Sequence, residues 1–194
     1  MNDTDIRHQP AAVADIAADT AALSFNMMSE AKVGALLAVL ATSKPGGRVL
    51  ELGTGTGHGT AWLLSGMNAT ATLDSVDTDE AVVAVARRHL GADGRVTFHV
   101  ADGAAFLTRD SLQPYDLIYA DAWPGKFSHL DEALSLLRPG GVYVIDDLLP
   151  LGNWPEGHAP RVPVLIDDIE CRSEFSTVRL AWASGLMLVV RRDR

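Results

Sequence analysis

Val49-Leu50-Glu51-Leu52 is an apolar run carrying one acid, followed by glycine at every second position: Gly53, Gly55 and Gly57. Glycine reaches positive φ and leaves space where a side chain would block a ligand. A helix beginning near His58 turns its free N–H groups toward the same turn. Strand, glycine turn and helix in this order describe a nucleotide or nucleoside pocket at the carboxyl end of a first β-strand.

The rest of the chain repeats that unit. Strands are expected at residues 48–52, 70–76, 96–100, 115–120 and 142–145, with helices at 58–66, 80–90 and 128–137 between them. A short helix is expected after Gly103, and another after a proline- and glycine-rich loop at 149–163. Residues 176–183 and 186–190 read as an antiparallel hairpin about Ser184-Gly185. The expected fold class is α/β: a Rossmann-like open sheet, mostly parallel, with a C-terminal antiparallel hairpin and helices on both faces. Helices at 10–23 and 30–41 form an N-terminal cap over residues 1–43, within one domain spanning 1–194.

Composition narrows the function. A net charge of -9 argues against binding nucleic-acid backbone or anionic membrane, and no basic run offers a local patch. The single cysteine, Cys171, rules out an internal disulfide or a cysteine-rich zinc site, and it reads as a packed thiol. No long uncharged apolar run is present. Met1-Asn2-Asp3-Thr4-Asp5 lacks the charge and apolar core of a secretion signal, so a cytoplasmic location is expected.

Acidic residues close each expected parallel strand: Glu51, Asp77, Asp102, Asp121 and the pair Asp146-Asp147. In an open α/β sheet, ligands bind along that edge. Asp77 lies 20 residues beyond Gly57, placed to accept both hydroxyls of a ribose. Asp102-Gly103 suits the amine edge of an adenine, with a helix cap as the competing role. Glu51 favours a sulfonium cofactor, because its carboxylate suits an ammonium group and would repel the pyrophosphate of NAD. His58, His129 and His158 have no zinc-motif spacing, and the first two read as helix-surface residues.

These residues resemble class I S-adenosylmethionine-dependent methyltransferases, and among them small bacterial relatives of catechol O-methyltransferases. The resemblance runs from about Phe25 to the C-terminus. It rests on Asn26-Met27-Met28-Ser29-Glu30-Ala31-Lys32, Glu51-Leu52-Gly53, Asp77, Asp121-Ala122-Trp123, Arg138-Pro139-Gly140-Gly141 and Asp146-Asp147. It implies S-adenosylmethionine as cofactor, with Met28 nearby, Glu51 on its amino group, Asp77 on ribose and Asp102-Gly103 near adenine. Gly53, Gly55, Gly57, Asp121 and Trp123 complete the implied cofactor site.

The resemblance also implies a metal and a base. Asp121, Asp146 and Asp147 would supply hard oxygen ligands for Mg²⁺, although catechol-type members carry asparagine where Asp147 stands. Their general-base lysine lies three residues beyond the first metal aspartate; here that position is Pro124, and Lys126 comes two residues later. Lys126 and Asp121 are the expected catalytic pair. A small hydroxylated, catechol-like acceptor and a homodimer are the expected partners, with no nucleic acid and no membrane. The alternatives are a noncatalytic S-adenosylmethionine-binding regulator and an NAD-dependent oxidoreductase, the latter weakened by the lack of a tyrosine–lysine pair.

Overall fold

In a computed structural model, residue 3 and residues 6–23, 25–150 and 152–193 are described. Met1, Asn2, Thr4 and Asp5, on which the reading of the amino terminus rests, lie outside them, as do Ser24, Leu151 and Arg194.

The strands are β1 (Arg48–Leu52), β2 (Thr72–Asp77), β3 (Val96–Val100), β4 (Tyr115–Ala120), β5 (Leu137–Ile145), β6 (Phe175–Leu180) and β7 (Leu186–Arg191). They form one sheet in the order β3-β2-β1-β4-β5-β7-β6. The first five strands run parallel, and β7 pairs antiparallel with both β5 and β6. The chain starts at the sheet centre, winds outward to β3, and returns to lay β4 on the other side of β1. The order therefore reverses at β1 and β4, which opens a crevice beyond their carboxyl ends.

The helices are α1 (Ala12–Ala22), α2 (Ala31–Thr42), α3 (His58–Gly66), α4 (Glu80–Leu90), α5 (Gly103–Leu107), α6 (Leu130–Ser135) and α7 (Arg161–Glu170). Side chains alternate between the faces of each strand. Val49, Leu73, Leu117 and Val144 thus join Ile16, Leu37, Trp62 and Leu63 of α1–α3 on one face. Leu50, Leu52, Ile118, Tyr143 and Ile145 meet Phe106, Leu134, Leu165 and Ile169 of α5–α7 on the other.

Three local expectations change. Strand β5 begins at Leu137, and the Arg138-Pro139-Gly140-Gly141 turn is an irregularity inside it, exposed at its first three residues, where the register with β4 shifts between Tyr115 and Leu117. His58 is buried, because α3 is covered by α2 on its outer side and the sheet on its inner side; burial lowers its pKa to about 4. Cys171 is exposed rather than packed: α7 buries Val162, Leu165 and Ile169, and position 171 falls off that stripe. Among the described residues no helix is long and apolar enough to cross a membrane.

Candidate active site

A cleft of about 380 Å³ lies at the carboxyl ends of β1, β2, β4 and β5. Backbone conformation shapes its floor. Gly53 has φ +103, and a Cβ there would stand 2.6 Å from the carbonyl oxygen of Asp121, so only glycine lets β1 and β4 leave the sheet this close together. Asp77 accepts from Gly55 N–H at 2.8 Å through Oδ2 and from Asp79 N–H at 3.1 Å through Oδ1. The same carboxylate expected on a ribose therefore also braces the glycine turn.

Of the expected site residues, Met28, Gly53, Gly55, Asp77, Asp121, Trp123, Lys126, Asp146 and Asp147 line this cleft. Glu51, Gly57, Asp102 and Gly103 do not. Strand alternation puts Glu51 on the face of Val49, under α3, where it is fully buried. Its Oε2 accepts from Thr60 Oγ1 at 2.5 Å and Ser75 Oγ at 2.6 Å, and Oε1 has no partner. Burial above all, against those two hydrogen bonds, pushes its pKa up to about 7. Glu51 is thus a buried brace between β1, β2 and α3 rather than a wall of the cleft.

Gly57 is the N-cap of α3, at φ +94, and a Cβ there would lie 2.7 Å from the Ala86 Cβ of α4; it serves helix packing. Asp102 caps α5, accepting from Ala105 N–H at 2.9 Å, and Gly103 sits close under Pro124. The helix-cap role foreseen for Asp102 is the one the structure shows.

An acidic cluster forms the deepest part of the cleft. Tyr119 donates to Asp146 Oδ2 at 2.6 Å and stands 3.2 Å from Asp121 Oδ2. Ser184, from the β6–β7 turn, donates to Asp146 Oδ1, which also accepts from Asp147 N–H at 2.7 Å. Ser29 donates to Asp121 Oδ2 at 3.3 Å. Burial first, then the facing Asp146 carboxylate, raises the Asp121 carboxyl well above its usual range; burial, then Asp147, raises Asp146.

Lys126 reaches this cluster through a tight turn. Lys126, Phe127 and Ser128 all donate their N–H groups to the Trp123 carbonyl, while Tyr143 donates to the Gly125 carbonyl at 2.7 Å. The turn folds inward, leaving Lys126 only 3% exposed. Its Nζ donates to the Asp146 carbonyl at 3.1 Å and lies 3.7 Å from both Asp121 Oδ1 and Asp147 Oδ2.

The donor set does not fit Mg²⁺. Both Asp146 oxygens are committed to protein donors, the Lys126 amine stands between the other two carboxylates, and no trio of His, Cys, Asp or Glu among the described residues is arranged to hold an ion. The expected ligation by Asp121, Asp146 and Asp147 is accordingly replaced by an ion-paired cluster about Lys126.

The mouth of the cleft is aromatic. Trp154 stacks on His158 at 4.4 Å, and His158 Nε2 lies 2.9 Å from the Asp147 carbonyl oxygen. Trp123 has the Arg161 guanidinium 4.9 Å over its ring. Asn153 donates to the Asn26 carbonyl at 2.8 Å, tying the 148–160 loop to the segment that carries Met28. A separate cavity of about 540 Å³ between α6 and α7 shares only Lys126 with the expected site residues.

Sequence reasoning missed Tyr119, Ser29 and Ser184. Tyr119 was findable: it sits two residues before Asp121 along a strand, so both point to the same face. Nothing local marks Ser184, which arrives from a hairpin turn distant in sequence.

A doubly wound sheet with a glycine turn and an acidic cluster at its switch point is a frame on which nucleoside cofactors are commonly held. Residues 50–148 match the family described as "Methyltransferase domain", and the chain belongs to that family. A Mycolicibacterium vanbaalenii protein provisionally named an O-methyltransferase is 36% identical over 118 residues, covering 58% of this chain and 52% of the relative. The chain thus spans about half the length of the curated relatives it matches.

Among solved structures, the O-methyltransferase TomG from Streptomyces achromogenes, in complex with S-adenosylmethionine, superposes with a TM-score of 0.80. It is 22% identical, over 96% of this chain and 92% of that one. The O-methyltransferase from Bacillus cereus, in complex with S-adenosylhomocysteine, gives 0.83 at 20% identity, over 97% and 94%. At these identities the likeness is one of fold.

Proposed function

We propose that this chain is an S-adenosylmethionine-dependent O-methyltransferase acting on a small hydroxylated, catechol-like molecule. The observation that carries the reading is the convergence of Gly53, Gly55, Asp77 and the Asp121 cluster on one cleft in a chain of the methyltransferase-domain family. The curated relatives' provisional naming as O-methyltransferases supports oxygen as the acceptor atom.

In this reading Asp77 accepts from the ribose hydroxyls and Met28 borders the methionine end of the cofactor. Trp123, Trp154 and His158 wall an apolar slot for a flat acceptor. The acceptor oxygen attacks in line with the departing sulfur: an O–C bond forms, the C–S bond breaks, and its electron pair stays on a neutral thioether. The hydroxyl proton passes to Asp121, whose carboxyl is held above the usual carboxylate range by burial and the facing Asp146, making it a stronger base than an exposed aspartate. Only the ionised Asp121 accepts a proton, so kcat rises with pH through that raised pKa.

Transfer of a labelled methyl group from S-adenosylmethionine to a panel of catechols and simple phenols tests the proposal. Labelled ether product, reduced by at least about tenfold in Asp121→Asn, is the expected result. Cofactor binding without transfer to any hydroxylated acceptor would favour the noncatalytic regulator.

A further inference from the structure

The place where catechol-type relatives are expected to hold a divalent ion contains, in this chain, a primary amine. Position 124 is proline, which has no amine to offer, and the inward turn at 123–128 delivers Lys126 instead. Its Nζ lies 3.7 Å from Asp121 Oδ1 and 3.7 Å from Asp147 Oδ2, at the centre of the cluster. An ammonium has three N–H donors. One is used on the Asp146 carbonyl at 3.1 Å, and the two carboxylates stand too far for good hydrogen bonds. Donor capacity is left over on a residue that lines the cleft.

We propose that Lys126 is a built-in cation that takes the place of the divalent metal, and that the acceptor oxygen docks directly on its Nζ. The inference rests on the methyltransferase reading for the identity of the acceptor, but the cation seat itself does not. In this role Lys126 donates to the acceptor oxygen and stabilises the charge developing there, while the hydroxyl proton leaves to Asp121. The lysine expected as a base is on this account an electrostatic catalyst. A divalent ion and Lys126 compete for the same carboxylates, so each excludes the other.

The test is Mn²⁺ titration of the full chain, read by loss of the electron paramagnetic resonance signal of free Mn²⁺. Wild type, Lys126→Ala and Lys126→Met are compared, with S-adenosylmethionine titrated into each. Removing the ammonium uncovers the carboxylates, so both variants are expected to take up Mn²⁺ at least about tenfold more tightly than wild type. Wild-type methyl transfer is expected to run at the same initial rate in Mg²⁺ and in chelator.

Wild type binding Mn²⁺ as tightly as the variants would overturn the proposal, and that result needs no variant to fold better than the natural chain. A chelator-sensitive wild-type rate restored by Mg²⁺ would overturn it as well. Failure of S-adenosylmethionine to bind wild type, with the Mn²⁺ pattern intact, would remove the methyltransferase reading and leave the cation seat supported.

Discussion

Glu51 offers a sharp energetic test of how this sheet is built. Its carboxyl is fully buried, holds two hydroxyl hydrogen bonds on Oε2, and leaves Oε1 unpaired against α3. Its pKa rises from 4.5 to about 7 on folding. A carboxyl raised in the folded state stabilises that state only while protonated, so its contribution is full below pH 4.5 and lost as pH climbs through 7. At 1.36 kcal/mol per unit, the loss is about 3 kcal/mol. Glu51→Gln keeps an oxygen for Thr60 and Ser75 and removes the charge. Urea unfolding of wild type and variant at pH 5 and pH 8 isolates the effect, because all other titrating groups cancel in the difference. Part of that loss has already occurred by pH 5, so the variant should gain about 2–3 kcal/mol on wild type between the two pH values. Parallel pH profiles for the two proteins would refute a buried, charge-penalised Glu51.

Gly57→Ala forces a side chain into left-handed backbone and to 2.7 Å from the Ala86 Cβ, which should cost roughly 2–5 kcal/mol in urea unfolding; a loss below about 1 kcal/mol would mean that α3 and α4 pack otherwise. Asp77→Ala removes the brace on Gly55 and the proposed ribose acceptor together, and should weaken S-adenosylmethionine binding by about 10–100-fold in calorimetry. An unchanged Kd would place the ribose elsewhere. Trp154→Ala strips the stack on His158 and should raise the acceptor KM while sparing cofactor affinity; the opposite split would put Trp154 on the cofactor side.

The fold was legible where local signals and tertiary packing agree. The short apolar run after Arg48 sets β1 as expected, every residue from Val49 to Leu52 being buried, and Asp79, which accepts from Ala81 N–H at 2.8 Å, starts α4 at Glu80. The cleft was legible because any doubly wound sheet gathers its strand ends at the switch point, which brings Asp77, Asp121 and Asp146 together.

Glu51 shows the limit of reading by strand end alone. It is counted with the other acids, yet period two turns it under α3, a consequence that needs to be known with the helix in place. Lys126 was expected in the site only through the family resemblance: a glycine-containing turn does not itself say where its lysine points, and the N–H groups donated to the Trp123 carbonyl, with the Tyr143 hydroxyl on the Gly125 carbonyl, carry it inward. Cys171 and His58 exchange their expected environments for the same reason, since exposure on a helix depends on what covers each side.

The central claim is that the cleft at β1, β2 and β4 holds S-adenosylmethionine. Isothermal titration of the purified chain with S-adenosylmethionine and, separately, with NAD tests it most directly. Saturable binding of S-adenosylmethionine alone, weakened in Asp77→Ala, is the predicted result. Binding of NAD alone would contradict the account.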